Sequence, residues 1–505
     1  MSGKVSRRTI LGAGAGLVGT GLVGCLPSAV RASPKGKAPK NVIFLVADGM
    51  AASVPTMVDH LMQIQGKPSS YWRWLMRQPG VVNAHQDTRS LNSVVTDSSA
   101  ASSTWGCGRH IWNGMVNMLP DLVPMKTLTM LMHGAGVKCG LVTTATMTHA
   151  TPAGFTVSHW SRDEEAQIAE KYLADGTVDV LFGGGNKFFA ADKRADKKDL
   201  YAGFEKAGFK VVKDRDAMMS VSGDKVLGIF SDSHIPYTVD RDNSPDLQKK
   251  VPTLAEMTTK ALELLKGSSN GFLLQVEGAR VDHGGHSNDA AAMLFDQIAF
   301  EEAVKVAYEF AKNDGETLIV ITADHATGGV ALNGDGDEYI DATTGLKTLA
   351  GFKASYGPLG DALGKAPDAS MCMDVFRAKL GVVLTATEGQ MIADAVANKF
   401  PKTGNHFQQS KNAVFANVLA NYTRVGFTSG NHTSDWVLLS AFGPGAEQFN
   451  QGVVQNIDIN TILLGFRGLK HNNPRMTFEE AAPLYQKLQN KAAMNHWLQD
   501  CDECC

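Results

Sequence analysis

The chain has 505 residues, 44% hydrophobic and 20% charged, and its 48 Lys and Arg against 51 Asp and Glu give a formal net charge of −3. That composition is close to the globular average and predicts a large buried core, in two or three domains or in one large α/β domain with insertions. Charges of both signs are interspersed, which leaves no basic footprint for a nucleic-acid partner and no like-charge block for a membrane surface.

The N-terminus is the first informative segment. Ser6-Arg7-Arg8-Thr9-Ile10-Leu11 precedes an uncharged, glycine-rich apolar run from Leu11 to Val23. A charged segment, a short apolar segment and a small-residue exit describe a secretory signal over residues 1–32, and the paired arginines give it the twin-arginine form. The apolar run is too short to span a membrane comfortably. Two exits are open. Leu22-Val23-Gly24-Cys25 has the form of a lipoprotein processing box, which would leave Cys25 acylated as a lipid anchor. Val30-Arg31-Ala32 would instead release a soluble periplasmic or extracellular protein. Exported cysteines can oxidise, but the pairing of Cys107, Cys139, Cys372, Cys501, Cys504 and Cys505 is not readable from spacing.

From Asn41 to Ala47 the chain reads NVIFLVA, a short β-branched run suited to a strand buried on both faces. Similar runs follow at Cys139–Thr143, Val178–Phe182, Phe272–Val276, Thr317–Ile321 and Trp436–Ala441. Helical stretches lie between several of them. Phe300, Ala303, Val304, Ala307 and Ala311 share one helical face that stops near Asn313-Asp314-Gly315. Strands alternating with helices predict an α/β fold over residues 41–505, with a mostly parallel central sheet sandwiched between helices. The stretch from Gly328 to Gly430 is too long for a loop and predicts an inserted subdomain, about residues 330–430. Within it, Asn333 to Asp341 hints at a calcium loop. Glu338 stands where such a loop needs glycine, so an acidic surface turn is expected.

Polar residues fall just past the strands. Asp48 follows the first. Glu277 follows Leu274-Gln275-Val276, with Asp282 and His286 shortly after. Asp324-His325 follow Ile319 to Ala323, and Gly430-Asn431-His432-Thr433 precedes the last run, which reads as the final strand. Open α/β sheets bind ligands beyond the carboxyl ends of their strands. One carboxylate there is usually a cap or turn residue, but several beside histidines describe a metal site of N and O ligands. Asp282 and His286 fall within one helical turn. The stretch Thr96 to Ser103 begins a helix whose N–H groups can face an anion. A serine there is a nucleophile only if a base or a metal takes its proton.

Taken in order, these segments resemble the alkaline phosphatases over most of the chain after the signal. The resemblance runs through Val42–Met50, Asp97-Ser98 to Asn113-Gly114, His149-Ala150-Thr151-Pro152, Ser161-Arg162, Leu181 to Gly185, Val276 to His286, Thr322 to Ala326 and His432-Thr433. It implies a phosphoserine intermediate on Ser98, with Ser99 as the rival serine, and Arg162 gripping two phosphoryl oxygens. It implies one zinc held by Asp282, His286 and His432, and a second held by Asp48, Asp324 and His325. A magnesium would take Asp48, Thr151 and Glu277. Two divalent ions roughly 4 Å apart suit an in-line displacement, and magnesium prefers oxygen ligands. His149 and His283 occupy variable positions of the family and are expected to tune hydrogen bonds around the third metal. The substrates implied are phosphate monoesters, and a homodimer stays open.

A phosphodiesterase or phosphonoester hydrolase on the same fold is the nearest rival. It would need neither the third metal nor the Arg162 clamp. A sulfatase would need a Cys or Ser in a C/S-x-P-x-R context, which the Ser98 segment lacks. A non-catalytic metal- or phosphate-binding lipoprotein would have no need of Ser98.

Overall fold

The computed structural model describes residues 37–400 and 405–489. The expected signal, with Cys25 and Ala32, and the tail cysteines Cys501, Cys504 and Cys505 lie outside them. Asn41–Val46 is a strand with every residue buried. Ile43 and Leu45 belong to one apolar cluster, and Val42, Phe44 and Val46 to a second. A strand covered on both sides has no polar face, which is why it reads as an unbroken apolar run.

Ten strands form the central sheet, in the order Val453–Gln455, Val82–Asp87, Val437–Phe442, Thr317–Thr322, Asn41–Val46, Phe272–Glu277, Lys138–Thr146, Val180–Gly184, Val226–Ile229, Lys210–Val212. Val437–Phe442 runs antiparallel to both its neighbours; the remaining pairings are parallel. The α/β architecture is the expected one. One expectation needs correction: the strand after His432 is not the last, because Val453–Gln455 follows it. That strand has three residues and only one of them is buried, too little for an apolar run. Val82–Asp87 also escapes a search for apolar runs. It exposes Asn83 and His85 and buries only Ala84 and Gln86.

The long insertion is bounded by Ala331–Leu332 and Val425–Gly426, which pair antiparallel in a separate two-stranded sheet. Between them lie the helices Asp341–Ala350, Tyr356–Leu363, Ala369–Leu380, Ala386–Val396 and Lys411–Thr423. Leu346, Phe376 and Phe415 are buried in the same cluster as Ile43, so the insertion shares the main core. Asn333 to Ile340 is a largely exposed turn in which Glu338 has φ of 55° and Asp335 pairs with Arg424 at 2.8 Å. No helix among the described residues is long and apolar enough to cross a membrane.

The helix Ala290–Asp314 follows the predicted face and ends on Gly315 in the left-handed region. It buries two carboxyls, Asp296 and Glu301. Glu301 accepts the Trp72 N–H at 3.0 Å, and burial pushes its pKa up to about 7. The folded chain therefore holds this proton more tightly than the unfolded one. The resulting stability is full below about pH 4.3 and is lost as pH rises through the folded value. Glu301→Gln keeps an acceptor for Trp72. In thermal melts it is expected to match the parent near pH 4 and exceed it at pH 9, by at most about 4 kcal/mol.

Candidate metal centre and nucleophile

Four adjacent parallel strands deliver the polar residues to one edge of the sheet. Asp48 lies two residues past Asn41–Val46, Glu277 ends Phe272–Glu277, Asp324 and His325 follow Thr317–Thr322, and His149 and Thr151 follow Lys138–Thr146. Asp48, Glu277, Asp282 and Asp324 are each 3% exposed or less. Gly49 lets the first strand's loop reach this cluster. Its φ is +70°, and a Cβ there would lie 2.5 Å from the Asp282 Cα.

The expected helical turn is present as Arg280–His286, and it brings His286 Nε2 to 3.3 Å from Asp282 Oδ2. A short antiparallel ladder pairs His432 with Thr327. It carries His432 across the long insertion to place its Nε2 3.0 Å from His286 Nε2 and 3.8 Å from Asp282 Oδ1. Hydrogen bonds fix both tautomers. His286 Nδ1 donates to the Gly430 carbonyl at 2.7 Å, and His432 Nδ1 to the Thr96 carbonyl at 2.8 Å. Both Nε2 lone pairs then face each other, which is repulsive unless a cation lies between them or one takes a proton. Burial opposes that proton, but Asp282 draws it to His286, whose pKa rises to about 9. Burial and then the neighbouring His325 push His432 down to about 4.

The carboxylates make the same demand for a cation. Asp48 Oδ1, Glu277 Oε1 and His149 Nδ1 are buried without a hydrogen-bond partner, and Asp324 Oδ2 faces His325 Nε2 at 3.1 Å. Burial, then the neighbouring Asp324, Asp282 and Glu277 carboxylates, push Asp48 well above the usual range. Burial likewise lifts Glu277 to about 7. Desolvated like charges at this density are costly without a cation, and carboxylate and imidazole donors suit divalent ions. Three sets of such atoms converge, each within 4.8 Å: Asp282, His325 and His432; Asp48, Asp324 and His325; Asp48, His149 and Glu277.

Thr151 Oγ1 donates to Asp48 Oδ2 at 3.4 Å, which brings it beside the third set. His149 was expected outside the ligands; one of its ring nitrogens lies within reach of Asp48 and Glu277. The His283 ring packs 5.4 Å from His149, and its Nδ1 is 2.6 Å from Arg280 Nη1. His234, not singled out by the sequence, completes this cluster 4.4 Å from His283 and accepts the Thr146 N–H at 3.1 Å. It lies in a Ser-Asp-Ser-His loop that follows the short buried strand Val226–Ile229, a run not named from the sequence.

The helix Ser98–Cys107 is capped by Asp97, whose Oδ1 accepts the Ala100 N–H at 2.9 Å. Ser98 is its first residue, and its Oγ lies 3.1 Å from His325 Nε2. Ser99 turns away and donates to Asp97 Oδ2 at 2.8 Å, so the geometry separates the two serines. It also rules out a Ser-His-Asp relay. Ser98 and Asp324 approach the same nitrogen of His325, each at 3.1 Å, whereas a relay uses opposite nitrogens. Small residues let this helix pack against Ala150–Thr156, since a Cβ on Gly106 would fall 1.9 Å from the Gly154 carbonyl.

Arg162 extends toward the same corner. Its Nη1 donates to Asp97 Oδ2 at 3.1 Å, and its Nη2 lies 3.3 Å from His149 Nε2. Burial works against an ionised Asp97, but the Arg162 guanidinium keeps its pKa lowered. Asp97 thus holds the serine helix and the arginine at once. Sequence reading assigns Asp97 no role beyond its place beside Ser98.

The family model for alkaline phosphatase matches residues 39–468. Alkaline phosphatase 3 of Bacillus subtilis is 31% identical over 446 residues, covering 86% of this chain and 89% of that protein. The repressible alkaline phosphatase of Saccharomyces cerevisiae is 36% identical over 326 residues, covering 58% of this chain and 56% of its own. The crystal structure of Thermus thermophilus alkaline phosphatase superposes with a TM-score of 0.84 at 34% identity, covering 90% of this chain and 97% of that one. A match over most of the chain, together with the buried ligand clusters beside a capped serine, leads to one conclusion: the chain belongs to the alkaline phosphatase family, metal-dependent hydrolases of phosphate monoesters.

Proposed function

We propose that this chain, exported by way of its twin-arginine signal, hydrolyses phosphate monoesters through a phosphoserine on Ser98. Two zinc ions and one magnesium ion are its resident metals. The observation that carries the reading is the Ser98 hydroxyl, 3.1 Å from His325 and at the rim of a carboxylate and imidazole cluster that needs cations. Asp282, His286 and His432 would hold one zinc; Asp48, Asp324 and His325 the second; Asp48, Thr151 and Glu277 the magnesium, with His149 beside it. When bound, the ions supply Lewis acidity that lowers the pKa of the serine and stabilises the departing oxygen.

The protein's own groups do the rest. Arg162, steadied by Asp97, offers a planar, permanently charged fork to two equatorial phosphoryl oxygens. Ser98 Oγ forms the new P–O bond as the bond to the alcohol oxygen breaks on the opposite side. Water then attacks phosphorus from the vacated side, releasing phosphate and restoring the serine. His149 and His283 tune the surroundings of the third site.

Acid quenching during turnover of a radiolabelled monoester tests the intermediate. Label is expected on the peptide containing Ser98 and absent from Ser98→Ala. Label retained in that variant, on Ser99 or elsewhere, would contradict the assignment.

A further inference from the structure

Residues 469–489 lie beyond the part that the family model matches, which ends at residue 468. They are nonetheless built into the active-site corner. Asn473 is 6% exposed. Its Nδ2 donates to the Cys107 and Lys126 carbonyls, both at 2.8 Å, and its Oδ1 accepts the Lys126 N–H at 2.9 Å. Arg109 Nε donates to the Asn473 carbonyl at 2.8 Å. One asparagine therefore ties both ends of the loop that leaves the serine helix, since Cys107 is the last residue of that helix.

The helix over 478–489 clasps the middle of the same loop. Phe478 and Tyr485 stack on Trp112 at 5.7 and 4.6 Å, with interplanar angles of 6° and 27°. Trp112 and the buried Ala481 share an apolar cluster with Ala100 of the serine helix. The residues after Trp112 touch the phosphate corner directly. Asn113 Oδ1 accepts the Asp97 N–H at 3.1 Å, and its Nδ2 donates to the Val95 carbonyl at 3.0 Å. The Gly114 N–H donates to Asp97 Oδ2 at 2.9 Å, and its carbonyl accepts the Arg162 N–H at 2.8 Å.

We infer that this C-terminal segment is a positioning strap for phosphate binding. Asn473 and the Phe478–Trp112–Tyr485 stack fix the loop whose Asn113 and Gly114 set Asp97 and Arg162. The inference rests on the reading of Arg162 as the phosphate clamp. A strap acting through Arg162 matters only while Arg162 is present, whereas a merely structural segment weakens binding in either background.

The test measures inhibition by inorganic phosphate on full-length, metal-loaded protein, in a double-mutant cycle of Asn473→Ala with Arg162→Ala. Arg162→Ala alone is expected to weaken phosphate by tenfold or more, on the order of a lost charged bidentate pair. Asn473→Ala is expected to weaken it about tenfold in the parent and less than about twofold in the Arg162→Ala background. Phe478→Ala, at a half-exposed position, should show the same dependence with a smaller effect, and it serves if Asn473→Ala does not fold. Equal losses in both backgrounds, or no loss in either, overturn the strap. An unchanged constant in Arg162→Ala alone overturns the clamp reading itself.

Discussion

Ser98→Ala is expected to lower turnover of an aryl phosphate by on the order of 10⁴-fold or more while leaving bound metal near the parent's level. The fold gives no reason for the helix to suffer. Its cap is Asp97, not Ser98, and alanine is the better helix former. No carboxylate or imidazole is removed, so the cation sites keep their donors. Ser99→Ala removes only a hydrogen bond to Asp97, and a loss of less than about tenfold is expected. Steady-state rates and metal analysis on the same preparations check both. An active Ser98→Ala beside an inactive Ser99→Ala would move the nucleophile by one residue.

Removal of metal by a chelator is expected to abolish turnover, and zinc with magnesium to restore it. It should also lower the melting temperature by an amount that grows with pH. Two groups set the sign in the stripped protein. Glu277 is raised to about 7 by burial, and His286 to about 9 because the attraction of Asp282 outweighs burial. Both hold protons more tightly when folded than when unfolded. Their stabilisation is full below the unfolded pKa values and is lost as pH rises through about 7 and about 9. In loaded protein the cations take the place of those protons. Calorimetry on loaded and stripped samples at pH 6 and pH 9.5 should therefore show the wider gap at the higher pH. A constant or narrowing gap would contradict the account, as would recovery of activity with no divalent ion.

Much of this site was legible because chemistry and topology coincide in sequence. Asp48, Glu277 and Asp324 each follow an apolar strand, and Asp282 and His286 share one helical turn, so local patterns located them. Matching to the family supplied what local patterns do not. His432 meets His286 only because a ladder with Thr327 spans the insertion. Spacing alone does not separate Ser98 from Ser99; in the fold the Ser98 hydroxyl faces His325 and the Ser99 hydroxyl donates to Asp97. Asp97 and His234 went unassigned for different reasons. Asp97 precedes a run of small polar residues in which any of several could cap the helix, and its bond to Arg162 crosses 65 residues of sequence. His234 lies in a short polar loop with no periodic signal. Four strands of the sheet were not named from the sequence. Val82–Asp87 and Val453–Gln455 lie together at one edge, where polar side chains break the apolar run. Val226–Ile229 and Lys210–Val212 lie at the other, where the strands are only four and three residues long.

The central claim is that metals, Ser98 and Arg162 together select monoesters. The most direct measurement compares kcat/KM for an aryl phosphate and the matching diester on metal-replete protein, with metal analysis of the same sample. The diester puts a second organic group where Arg162 is read as binding an oxygen, so the monoester is expected to win by roughly 100-fold or more, with zinc and magnesium close to two and one per chain. A diester turned over as well as the monoester, or full activity with a single ion per chain, would contradict the account.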